Sequence, residues 1–166
     1  MFDLSKALFI VEDIKPKTNK HEDGHQKSSW VKVRGTIPVE LCNALWRQDD
    51  STMESLKAAL WRPDGMKPSH KSIRMAFPLE LDNMIIAITP DKATGAKPVF
   101  QCQDGNLSNF SAVIADNHSM ELTFRMTFNV TQKESGDLHG QLAERIQLSV
   151  THDDDAIEQQ NGLDLD

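Results

Sequence analysis

Between residues 122 and 130 the chain alternates without a break. Leu122, Phe124, Met126, Phe128 and Val130 are large and apolar, and Thr123, Arg125, Thr127 and Asn129 lie between them. Successive side chains of a β-strand point to opposite faces, so this pattern predicts a strand with one dry face and one wet face. Such a strand needs a sheet around it, and the same period recurs elsewhere. Ile73, Met75, Phe77 and Leu79 alternate with Ser72, Arg74 and Ala76, and Ile146, Leu148 and Val150 with Arg145, Gln147 and Ser149. Residues 6–14 and 83–89 are apolar runs of strand length, and 99–102 and 110–115 are shorter candidates on either side of a turn at Asp104-Gly105-Asn106. The segments 122–130 and 142–150, joined through Ser135-Gly136-Asp137 and Gly140, read as a long hairpin.

In 29–37, Trp30, Lys32 and Arg34 share one face while Val31 and Val33 take the other. Pro38 suits a first helical turn, with Val39, Cys42, Leu45 and Trp46 following at helical spacing. Ser51-Thr52-Met53-Glu54 has the form of a capping box at the start of a stripe of Met53, Leu56, Ala59 and Leu60, which Pro63-Asp64-Gly65 ends. Seven or eight strands with one helical insert at 38–62 give a mainly β fold, α+β in the strict sense: an antiparallel OB-like barrel or a sandwich. A length of 166 residues fits one domain, placed at 1–152. Within it, 15–28 (KPKTNKHEDGHQKS) reads as a mobile polar loop, and 153–166 as a disordered acidic C-terminal tail.

The net charge of −7 would by itself disfavour a phosphate-bearing partner, but it is unevenly spread. Residues 1–100 hold 15 basic and 13 acidic side chains, whereas 101–166 hold 3 and 12. Six of those acids, Asp153, Asp154, Asp155, Glu158, Asp164 and Asp166, belong to the tail, and the chain without it stands at −1. Two segments are locally basic. From Lys15 to Arg34 there are six cations (Lys15, Lys17, Lys20, Lys27, Lys32, Arg34) against two acids, with Trp30 beside the last pair. From Lys57 to Arg74 there are five (Lys57, Arg62, Lys67, Lys71, Arg74) against Asp64, with Trp61 adjoining Arg62.

Catalytic signatures are weak. His21-Glu22-Asp23-Gly24-His25 matches the H-E-x-x-H spelling of zinc proteases, which requires both histidines on one face of a stable helix. The polar flanks offer no buried stripe, and Gly24 costs about 1 kcal/mol relative to Ala in a helix, so a solvated loop without a metal is expected. No nucleophile elbow, Walker loop or dinucleotide fingerprint occurs, and Cys42 and Cys102 lie far apart without a histidine neighbour. The expectation is a non-enzyme without cofactor, its two thiols reduced and buried. Residues 1–14 do not read as a signal peptide and no apolar run reaches membrane-spanning length, which predicts a cytoplasmic protein with no membrane partner.

Cations that track phosphates, interleaved with aromatic faces that stack on bases, are what single-stranded nucleic acid requires. Trp30, Lys32 and Arg34 form the expected centre of such a surface, assisted by Trp61, Arg62, Lys71 and Arg74 and by the loop lysines Lys17, Lys20 and Lys27. The plainer alternative puts Trp46 and Trp61 in the core and leaves the lysines as solvated charge. A β-rich body with basic and aromatic patches, followed by an acidic tail, resembles bacterial and phage single-stranded DNA-binding proteins in architecture, without a shared motif. The resemblance implies an OB-fold body that holds single-stranded DNA, RNA being the other candidate. It also implies a tail that competes for the basic surface or recruits replication and recombination proteins. The alternative is a protein-binding or assembly module, such as a phage structural or inhibitory protein, and a homo-oligomer is compatible with either.

Overall fold

In the computed structural model, residues 2–17, 26–42, 45, 50–69, 74–92 and 95–152 are described. Strands β1 (Leu4–Lys17), β2 (Gln26–Pro38), β3 (Arg74–Phe77), β4 (Leu81–Pro90), β5 (Phe100–Ile114), β6 (Ser119–Thr131) and β7 (Arg145–His152) join one sheet. A 3-10 turn (Val39–Cys42) and two helices, α1 (Asp50–Leu60) and α2 (Gln132–His139), complete the described elements. All pairings are antiparallel, and six strands close in the order β1-β2-β6-β5-β4-β7 back to β1. The result is a closed barrel consistent with the OB-like alternative, not the sandwich. Closure removes the open edges that a flat sheet would leave unpaired. β3 is the extra strand, pairing with Phe110–Val113 of β5 beyond the end of β4.

β1 belongs to both halves of the barrel. Its residues from Leu4 to Ile10 pair with β7 and those from Ile10 to Lys17 with β2, with register shifts between Leu4 and Ala7 and between Val11 and Asp13. Bulges of this kind bend and twist a strand enough to turn a corner. Gly35 sits against that corner: a Cβ there would lie 2.6 Å from the Leu8 carbonyl oxygen and 2.8 Å from the Phe9 ring. Inside, the dry face of β6 delivers Leu122, Phe124, Met126, Phe128 and Val130, all buried. The Phe124 ring meets Phe2, Phe9 and Phe110 at centroid distances of 5.9, 5.6 and 5.3 Å.

Several expectations need correction. The predicted turn at Asp104-Gly105-Asn106 is the middle of β5, because the extra residue is taken up as a bulge between Met84↔Gly105 and Ile86↔Cys102, with Gly105 packed under Ile86. After Pro38 the chain opens as a 3-10 turn over Val39–Cys42 and not as an α-helix, Leu45 is helical and buried as the spacing predicts, and Trp46 lies outside the described residues. α1 starts at Asp50, so Ser51 falls in its first turn and not ahead of it. The expected loop at 15–28 is shortened by both flanking strands, while 18–25, with Lys20 and the HEDGH stretch, lie outside the described residues. The same holds for Lys71 and for the tail 153–166. β6 and β7 are not a hairpin: β6 pairs with β2 and β5, and β7 with β1 and β4.

α2 stands where the sequence suggested a turn. Thr131 Oγ1 accepts from the Glu134 amide at 3.2 Å and Glu134 Oε1 accepts from the Thr131 amide at 2.9 Å, a complete capping box. Thr131→Ala is expected to cost about 1 kcal/mol of stability by urea denaturation, with Thr131→Ser close to wild type. An unchanged midpoint for the alanine variant would mean that the cap does not hold this helix.

Candidate nucleic-acid interface

The wet faces of β1, β2, β6 and β5 form one wall of the barrel, and the strand register fixes who stands beside whom. Lys15 faces Trp30, which faces Thr127, which faces Asn106. In the next row Asp13, Lys32, Arg125 and Ser108 follow one another, and in the next Ile10, Arg34, Thr123 and Ser111. Trp30 is half-buried while Val31 and Val33 are in the core, as the alternation of β2 predicts. The Arg125 guanidinium carbon lies 4.3 Å from the Trp30 ring centroid and Lys15 Nζ lies 5.5 Å from it. Both are within reach of the cation–π attraction of an indole face.

The same wall carries its own counter-charges. Glu12 Oε1 accepts from Arg34 Nε at 2.5 Å, Glu12 Oε2 is 3.6 Å from Lys32 Nζ, and Glu121 Oε2 accepts from Arg34 Nη1 at 3.3 Å. The Glu12 hydrogen bond first, and the Glu121 charge next, hold the Arg34 guanidinium above its ordinary pKa. Lys15 pairs with Asp13 at 3.8 Å. Four cations therefore face three carboxylates among the described residues, so a phosphate would compete with Glu12 and Glu121 for Arg34. The pairs are open to solvent, with side chains 28–63% exposed, so each is worth about 0–1 kcal/mol and is exchangeable on those terms.

Arg74 joins this wall through β3. Ala76 pairs with Ser111, the neighbour of Thr123, and Arg74 Nη1 lies 3.5 Å from Ser111 Oγ, at the limit of a hydrogen bond. Two other expected members do not. Trp61 is only 2% exposed: its indole N–H donates to the Ala115 carbonyl at 2.6 Å and its ring meets His118 edge-on at 5.5 Å, so it is core and offers no face to a base. Arg62 follows it into a separate hollow of about 340 Å³ shared with Glu54, Lys57 and His118. Lys17 and Lys27 sit at the β1–β2 end of the wall by register, Lys17 opposite Ser28 and Lys27 opposite Val130; their side chains, with Lys20 and Lys71, are outside the description.

Arg125 is the residue the sequence placed on a wet face without joining it to Trp30. Only the β2–β6 register, thirteen consecutive pairs from Gln26↔Thr131 to Pro38↔Ser119, puts it over the indole. Its own alternation within 122–130 was the available signal. Elsewhere, both cysteines are free, and burial pushes the Cys42 thiol up to about 12 and the Cys102 thiol up to about 11, which leaves neither nucleophilic at neutral pH. Among the described residues no group of three or more His, Cys, Asp and Glu side chains is placed to hold a metal, and no helix is long and apolar enough to cross a membrane. No family model, curated protein or solved structure matches the chain.

Proposed function

We propose that the protein binds single-stranded nucleic acid across the outer wall formed by β1, β2, β6, β5 and β3, without catalysing a reaction. The observation that carries this reading is a half-buried tryptophan on a barrel wall, held between the cations of Lys15 and Arg125. A base replaces the guanidinium over the indole, and Arg125, Lys15 and Arg74 follow the phosphates, while Lys32 and Arg34 stay paired with Glu12 and Glu121. Four inter-strand spacings give a wall of about 19 Å, which suits a short site near the low end of the range of about 4–16 nucleotides per OB fold. With roughly three phosphates neutralised, log K should fall with log salt at a slope of about −2. The acidic tail competes for the same wall or recruits replication and recombination partners.

Titration with oligo-dT and oligo-U at low salt tests this. Tryptophan emission should change on binding, anisotropy should rise, and the two oligomers tell DNA from RNA preference. Flat signals for both at micromolar protein sink the reading. Truncation after His152, where β7 ends, should tighten binding if the tail competes. Unchanged affinity removes that role alone.

A protein-binding module is the second reading, favoured by one observation. Leu8 and Ile10 share the outer face of β1 at 47% and 37% exposure, and Leu142, at 46%, lies in the loop that hydrogen-bonds to Val11 through Ala143 and Glu144. A stoichiometric protein complex or homo-oligomer with no response to either oligonucleotide would select it.

A further inference from the structure

β4 lies three strands from β2 in either direction around the barrel, and its outer face borders a second, unrelated site. A cavity of about 510 Å³ opens there between β1, β4, β7 and the segment that follows β4, within the size range of small-ligand pockets. Lys6 and Lys92 line it together with the hydroxyl-bearing Thr89 and Ser149, and no carboxylate among the described residues does. Asp91, next in sequence, is already engaged, accepting from Arg145 Nε at 2.6 Å and from Gln147 Nε2 at 3.3 Å. Among the described residues neither Lys6 nor Lys92 has an ion-pair partner.

Lys6 is held there at a conformational cost. It occupies the extra position of the β1 bulge between Leu4 and Ala7, at φ +49, a left-handed conformation for which glycine is the usual residue. Its N–H has left the ladder and donates to Ser149 Oγ at 3.0 Å. The Ser149 hydroxyl accepts that bond and keeps its own proton to donate. A strained non-glycine residue at a cavity mouth is a pointer to what its side chain supplies, in this case a positive charge.

We propose that this cavity binds a phosphate monoester, with Lys6 and Lys92 supplying charge and Thr89 and Ser149 donating hydrogen bonds to the phosphate oxygens. The volume exceeds that of bare phosphate, and Ala87 and Pro98 give an organic remainder an apolar wall. The monoester comes either from a free small molecule or from the 5′ end of a strand. This site stands independently of the Trp30 wall.

Calorimetric titration with thymidine 5′-monophosphate and with thymidine reads the phosphate dependence, and 5′-phosphorylated and unphosphorylated oligo-dT distinguish the two sources. The monophosphate should bind at least tenfold more tightly than the nucleoside. Lys6→Gly, which relieves the left-handed strain and so keeps or raises Tm, should lose at least tenfold of that affinity, and Lys92→Gln likewise. A gain for the 5′-phosphorylated oligomer that disappears in Lys6→Gly assigns the strand end; a gain for the monophosphate alone assigns the free molecule. Equal binding of monophosphate and nucleoside, no binding of the monophosphate at millimolar concentration, or wild-type affinity in both variants overturns the proposal.

Discussion

Phe124→Ala is expected to lower the stability of the barrel by about 3–5 kcal/mol, a large share of the roughly 5–15 kcal/mol a domain commonly has. The ring is fully buried and touches three others, Phe2 ahead of β1, Phe9 in β1 and Phe110 in β5. Phe9 and Phe110 are fixed to two strands of a closed ring, so they cannot collapse into the void without moving the backbone. At about 2–4 °C per kcal/mol for a chain of this size, Tm should fall by about 6–20 °C. Arg125→Gln, one position further along β6 on the opposite face, is the internal control and should change stability by less than about 1 kcal/mol. Thermal and urea unfolding of the two variants measure the difference directly. Comparable losses in both would mean that the alternation within 122–130 does not separate core from wall, which would undermine the placement of Trp30 as well.

Period two was the dependable signal, and what it reports is a face. It placed Val31 and Val33 inside and Trp30, Lys32 and Arg34 outside, and it put the whole apolar set of β6 in the core. It says nothing about neighbours, because hydrogen-bonded partners of a strand lie far away in sequence. Arg125 therefore went unassigned although its wet face was legible, and β6 and β7, adjacent strands in sequence, were read as partners when the short helix α2 carries the chain between them. Local signals were ambiguous where one composition serves two geometries. Asp104-Gly105-Asn106 suits a turn or a bulge, and only the packing of Gly105 under Ile86 decides it. Ser135-Gly136-Asp137 suits a turn or a polar helix; the decisive residues were Thr131 and Glu134, three apart, which cap the helix that contains it. Counter-charges are the least legible feature of all. Glu12 and Glu121 come from separate strands, yet they share Arg34, and no count along the chain brings them together.

Those two carboxylates make the Trp30 wall testable in both directions. Trp30→Ala is expected to weaken binding of oligo-dT by about 1–3 kcal/mol, since base–aromatic stacking is worth that much per base, or about 5- to 150-fold in Kd. Folding should be little affected, because the ring is half-buried on the outside of the barrel and its inward neighbours Val31 and Ser29 are untouched. Glu12→Gln works the opposite way. It releases Arg34 Nε and Lys32 Nζ from a carboxylate 2.5 and 3.6 Å away, leaving Glu121 as the remaining partner of Arg34. Lys32, which loses its only ion-pair partner among the described residues, then becomes free for a phosphate, so binding should tighten several-fold at low salt and the slope of log K against log salt should steepen by about 0.7. A general loss of structure cannot produce opposite signs from two neighbouring substitutions, and a nonspecific gain of positive charge cannot explain the loss at Trp30. Anisotropy titrations of both variants across a salt series decide the matter. Wild-type affinity for Trp30→Ala, or an unchanged slope for Glu12→Gln, would remove the strand from this wall and leave the apolar surface at Leu8, Ile10 and Leu142 as the stronger candidate for contact with a partner.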